Sequence, residues 1–148
     1  MHHLAQINIA QAHDAMDSKI MQGFVDRLDE INALADQAPG FIWRLQTEDG
    51  DATGIQAFDN PSIIVNISVW KDIESLKNYV YKSLHVELVR DRDAWFDKIP
   101  EMHQALWWVP AGHIPSIEEG KKMLSHIQEH GTSQTAFTFA RPVHHNTI

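Results

Sequence analysis

The segment from Ser62 to Trp70 is the clearest strand in the chain. Because side chains alternate across a strand, Ile63, Val65, Ile67 and Val69 fall on one face. Ile64, Asn66, Ser68 and Trp70 fall on the other. Three shorter segments read the same way. Leu4 to Ala10 sets Ala5, Ile7 and Ile9 against Gln6 and Asn8, Phe41 to Leu45 is rich in aromatic and branched residues, and Gln104 to Val109 ends at Pro110-Ala111-Gly112.

Helical periodicity fills the intervals. Ser18 can cap a helix running to about Gln37, with Met21, Phe24, Val25, Leu28, Ile31, Leu34 and Ala35 on one face. Ala38-Pro39-Gly40 stops it. Thr47 to Gly54 is polar and punctuated by glycine, hence a loop. Asp72 caps a helix through Tyr81, Lys82-Ser83 breaks it, and a second helical piece is expected to about Ile99. Ser116 and Glu119 have capping-box spacing before a last helix closed by Gly131, and Thr135 to Phe139 reads as a short final strand.

The order is strand, helix, strand, strand, helix, strand, then an added helix and strand. The first six elements make the split β-α-β unit of ferredoxin-like α+β folds, in one domain over residues 1–148. Helices on one face leave the other needing cover, and a second copy is the simplest cover, so a homodimer is expected. In this topology the first and third strands are central neighbours. Asn8 and Asn66 then lie close on one face, with Gln6 and Ser68 beside them, either as a structural pair or as polar hooks for a small-molecule ligand. Periodicity leaves open which face they occupy.

A net charge of -8 argues against partners that demand clustered cations, so neither nucleic acid nor anionic lipid is expected. Apolar runs are too short to span a membrane. With zero cysteines, thiolate metal sites and a cysteine nucleophile are excluded. No secretory leader is legible at Met1-His2-His3-Leu4-Ala5-Gln6, so a cytoplasmic protein is the default expectation.

The candidate chemistry centres on one helical stripe: Tyr81, His85, Leu88, Arg92 and Trp95, at three- and four-residue steps. The His85 imidazole can ligate an iron or shuttle a proton near neutral pH, or be a satisfied structural histidine under the helix break. Arg92 can hold a carboxylate in a two-pronged contact or sit in a surface ion pair. Trp43, Trp70 and Tyr81 are expected to exclude water from a ligand, most tryptophans being core or interface. Adjacent Trp107 and Trp108 point to opposite strand faces, and His113 is either a lid residue or a contact capping the next helix. His126 and His130 have metal-ligand spacing on a terminal helical turn, where solvent exposure is the expectation.

Four stretches carry a family resemblance: the Leu4–Ala10 strand, Pro39-Gly40-Phe41-Ile42-Trp43-Arg44-Leu45, Asn66-Ile67-Ser68-Val69-Trp70, and Trp107-Trp108-Val109-Pro110-Ala111-Gly112-His113-Ile114-Pro115. Together they resemble domain of unknown function 3291, the last run being the most specific. That family is grouped with the dimeric α/β barrels, alongside cofactor-free antibiotic-biosynthesis monooxygenases and heme-degrading monooxygenases. The resemblance implies an oxygenase-like enzyme acting on a hydrophobic or aromatic metabolite, heme-dependent or cofactor-free. The alternative is a non-catalytic ligand-binding or stress-response dimer. By the same resemblance Asn8, Tyr79 and His85 stand near the asparagine, aromatic and histidine positions that surround heme in the heme degraders, which carry tryptophan where this chain has Tyr79.

Overall fold

The computed structural model describes residues 1–12, 32–45, 63–82, 96–97, 103–139 and 142–143, with the side chains of all but 12, 80–82 and 96–97. The order is β1 (His2–Ala12), a helical segment α1 over 32–37, β2 (Phe41–Arg44), β3 (Ile63–Trp70), α2 (Ile73–Lys82), β4 (Phe96–Asp97), β5 (Gln104–Pro110) and α3 (Ile117–His130). The sheet is antiparallel, with β2, β3 and β1 side by side and the far edge of β1 shared by β5 and β4. This is the expected α+β ferredoxin-like arrangement, with β1 and β3 central.

Two expected elements differ. β5 pairs with β1 only as far as Asn8↔Gln104, and β1 runs on to Ala12. Its remaining backbone groups need partners, and Phe96–Asp97 supplies them as a two-residue strand where helix was expected. Among the described residues the final strand is reduced to isolated bridging, with Leu106 paired to Phe137. A bond from Ser133 N–H to the Ala136 carbonyl at 2.8 Å folds the preceding residues into a turn, and Phe137 meets the edge of β5.

The larger finding concerns the sheet's second face. Ala5, Ile7, Ile9, Val65, Ile67, Val69, Ala105, Trp107 and Val109 form its core, and α3 lies over them through Leu124 and Ile127. Gly120 is the point of closest approach: a β-carbon there would stand 3.0 Å from the δ-methyls of both Ile7 and Ile67. α3 thus covers, among the described residues, the face for which a second copy was the simplest cover.

The opposite face carries Leu4, Trp70, Leu106 and Phe137, packed under Ala35 of α1 and Ile73 and Leu76 of α2. The approach of α2 is fixed at both ends of a tight turn. Gly40 has φ of 84°, and a β-carbon there would run into the Ser75 side chain, so only glycine fits. Asp72 caps α2 as expected, its Oδ1 accepting from Ser75 N–H at 2.8 Å. Burial raises the Asp72 pKa, but the two bonds from Ser75 and the charge of Lys71 outweigh it, and the net shift is downward.

A carboxylate in the first turn of α3 explains much of the most specific sequence run. Glu119 accepts from the Trp107 indole at 2.9 Å through Oε2, and its Oε1 lies 2.7 Å from His113 Nε2. Its own N–H donates to Ser116 Oγ at 3.1 Å, which caps α3. His113 therefore makes the capping contact, one of its two expected roles. Trp108 points the other way, as expected for its neighbour in a strand, and donates to the Val143 carbonyl at 2.7 Å.

Candidate functional site

Register decides which residues meet. Asn8 pairs with Asn66 across β1 and β3, and with Gln104 across β1 and β5. One row of carboxamides therefore crosses three adjacent strands, β3, β1 and β5, on the face that α1 and α2 cover. The next row holds Arg44, Ser68, Gln6 and Leu106; beyond it come Trp70, Leu4 and Trp108. On the other side of the amide row lie Ile64 and Ala10. Asn66, Asn8 and Gln104 are half-buried, whereas Gln6 and Ser68 are buried. A few convergent, half-buried polar groups beside apolar side chains are the usual floor of a small-molecule site.

Behind the amides the polar atoms are tied together. Gln6 Nε2 donates to Asn66 Oδ1 at 2.6 Å and to Ser68 Oγ at 2.8 Å. The Trp70 indole also donates to Ser68 Oγ, at 2.8 Å. Asn8 and Asn66 are register partners, and the bond that fixes Asn66 comes diagonally from Gln6.

The other candidates separate. Trp70 is 1% exposed, edge-on to Phe41 and stacked on Tyr79 with centroids 5.2 Å apart, so it is a wall of the core and presents no open face. Trp43 packs against the core cluster that contains Val69, on the face opposite the amides. A shift in the β2–β3 register between Phe41 and Trp43 goes with this placement. His85, Arg92 and Trp95 lie outside the described residues, as does the side chain of Tyr81. His126 and His130 sit at the end of α3 with ring centroids 4.7 Å apart.

Tyr79 is held neutral. Burial pushes its phenol up to about 12 from 10.0, with Arg44 pulling it down and Asp36 adding to the rise. Arg44 is itself engaged with Asp36 by two contacts, 2.8 Å from Nε and 3.3 Å from Nη2. Because the folded pKa lies above the unfolded value, this group's contribution to stability is complete below pH 10 and is lost as pH rises toward 12. An absorbance titration at the tyrosinate band is expected to show one of the two tyrosines ionising near the upper value. Tyr79→Phe should remove that step, and a late step that survives the substitution would count against the assignment.

These residues do not by themselves fit a heme. Of the described residues packed on this face, Tyr79 carries the one familiar axial-ligand group, and its phenol is kept protonated and stacked on Trp70. Among the described residues no group of three or more metal-ligating side chains comes together.

Sequence reasoning placed Gln6 and Ser68 beside the two asparagines and missed Gln104; the described arginine on this face is Arg44. The signal was available for Gln104, which shares its strand face with Leu106 and Trp108. Only the β1–β5 register places it beside Asn8.

Residues 3–148 match the family described as "Domain of unknown function (DUF3291)". The chain belongs to that family. The match takes in every described element, and no functionally curated protein is a significant match. A protein of unknown function from Nitrosomonas europaea is 14% identical, with a TM-score of 0.51 over 78% of this chain and 97% of that one. That likeness shows the fold. SnoaB, a cofactor-independent oxygenase from Streptomyces nogalater, is 16% identical, with a TM-score of 0.48 over 77% and 97% of the two chains. A dabb family protein with a ferredoxin-like fold from Mesorhizobium loti is 16% identical, at 0.43 over 74% and 99%. The members of the family share a domain whose function is not assigned by that name. No described helix is long and apolar enough to cross a membrane.

Proposed function

We propose that the amide row is the floor of a small-molecule site and that the chain is an oxygenase-like enzyme for an electron-rich hydroxyaromatic metabolite. The observation that carries this reading is the alignment of Asn66, Asn8 and Gln104 across three strands, with apolar Ile64 and Ala10 on one side and the bonded Gln6–Ser68 row on the other. Amide N–H groups fixed on a sheet stabilise an oxyanion without reorganising. Ionising the substrate hydroxyl makes the ring an electron donor to dioxygen. When the ring CH₂ of the substrate's keto tautomer becomes C=O, the carbon gives up four electrons, one oxygen atom of O₂ is retained and the other leaves as water. No outside reductant is needed. In this reading His85 takes the hydroxyl proton, Arg92 holds an acidic substituent, and Tyr79, kept neutral, and Tyr81 help to exclude water. No step is drawn through heme.

Dioxygen uptake with a panel of hydroquinones is the direct test. Asn66→Ala is expected to lower the rate about 100-fold, the usual cost of one oxyanion donor. The neutral character of the described amides and hydroxyl also favours a second reading, a binding module. Thermal stabilisation by these compounds with no oxygen consumed would select it. Neither stabilisation nor consumption would rule out both.

A further inference from the structure

We infer that Gln6 is a positioning residue that turns Asn66 with its N–H₂ group toward the ligand, so that the site takes its ligand through an anionic or carbonyl oxygen. This rests on the amide row being a ligand site. The bonds form a directed chain. The Trp70 indole can only donate, and it gives its proton to Ser68 Oγ. Gln6 Nε2 has two protons: one goes to the same Ser68 oxygen and the other to Asn66 Oδ1. Both lone pairs of Ser68 Oγ and both amide protons of Gln6 are thereby used.

Asn66 is the end of the chain. Its carbonyl is taken, so what it offers on its other side is a donor. Exposure runs the same way: Trp70 is 1% exposed, Gln6 3% and Ser68 5%, while Asn66 is half-buried. The closed end of the chain is thus core, and the open end is the ligand-facing amide. A phenolate, enolate or carbonyl oxygen satisfies that amide. A ligand presenting only donors leaves buried N–H groups unpaired, which sites of this kind reject strongly.

Gln6→Glu reverses the chain at constant volume. A carboxylate only accepts, so Asn66 must turn its N–H₂ inward to meet it and offer its carbonyl to the ligand. Asn66→Asp reaches the same polarity from the other end, keeping the Gln6 bond and presenting a carboxylate oxygen. Ser68→Ala disturbs the packing but leaves the Gln6–Asn66 bond in place.

4-Nitrophenol reports the result directly, because its phenol and phenolate absorb at different wavelengths. With the native protein in excess, the phenolate should bind about tenfold more tightly than the phenol, lowering the probe's apparent pKa by about one unit. Ser68→Ala should keep that preference. Gln6→Glu and Asn66→Asp should lose or reverse it, with circular dichroism confirming the fold and Asn66→Asp deciding the matter if Gln6→Glu does not fold. Binding without preference in the native protein, or an unchanged preference in Asn66→Asp, overturns the orientation of Asn66 and leaves the site standing. If neither form of the probe binds, the site and this inference fall together.

Discussion

Trp70→Ala is expected to lower the free energy of unfolding by roughly 3–5 kcal/mol, the range for deleting a buried large aromatic. Trp70 is 1% exposed and lies between Phe41, edge-on at 5.4 Å between centroids, and Tyr79, stacked at 5.2 Å. It therefore joins β2, β3 and α2, and the space it leaves is bounded by three elements that cannot all close on it. The substitution also removes the indole donor to Ser68. Trp70→Phe should recover part of the loss, since it restores ring area without the donor. Denaturant midpoints for both variants test this, and a loss below about 1 kcal/mol for alanine would mean that the site relaxes. Because Ser68 also holds Gln6, the alanine variant should weaken ligand binding even at temperatures where it remains folded.

Gly120→Val is expected to cost about 1–3 kcal/mol or more, as overpacking usually does, and to do so by lifting α3 from the sheet. A single added methyl would already stand 3.0 Å from Ile7 and Ile67, which lie on the two central strands and are both fully buried. A branched side chain has no room there. Gly120→Ala should be nearly neutral, because the helical gain of about 1 kcal/mol from removing glycine opposes the push on two movable δ-methyls. The contrast between the two is the informative result. If α3 lifts, the variant exposes Ala5, Ile67, Val69 and Val109 and should self-associate with increasing concentration in sedimentation experiments. A valine variant that stays monodisperse with native stability would show that α3 does not depend on this contact.

Much of the architecture was legible because it is local. The two-residue period of Ser62 to Trp70 survives in β3, the Asp72 and Ser116 caps are both made, and α2 ends at the expected break. Each of these depends on residues within a few positions of one another. The errors fall where the partner is distant in sequence. Phe96 and Asp97 look helical alone and become a strand because β1 outruns β5. Trp43 reads as a pocket residue from sequence, yet the register shift in β2 goes with its place on the face opposite the amides.

The same division holds for the site. That Asn8 and Asn66 are neighbours followed from strand order, since central antiparallel strands put alternate residues side by side. The addition of Gln104, the diagonal bond from Gln6 and the assignment of Arg44 to Asp36 required coordinates. The sequence alone determined β1, β2, β3, β5, α2 and α3, their order and the two-faced character of the sheet, because period and capping are properties of a few adjacent residues. Tertiary structure alone decided which face each polar group occupies and what covers it. Those outcomes depend on long-range register and on where α3 comes to rest, and no short stretch of chain contains either.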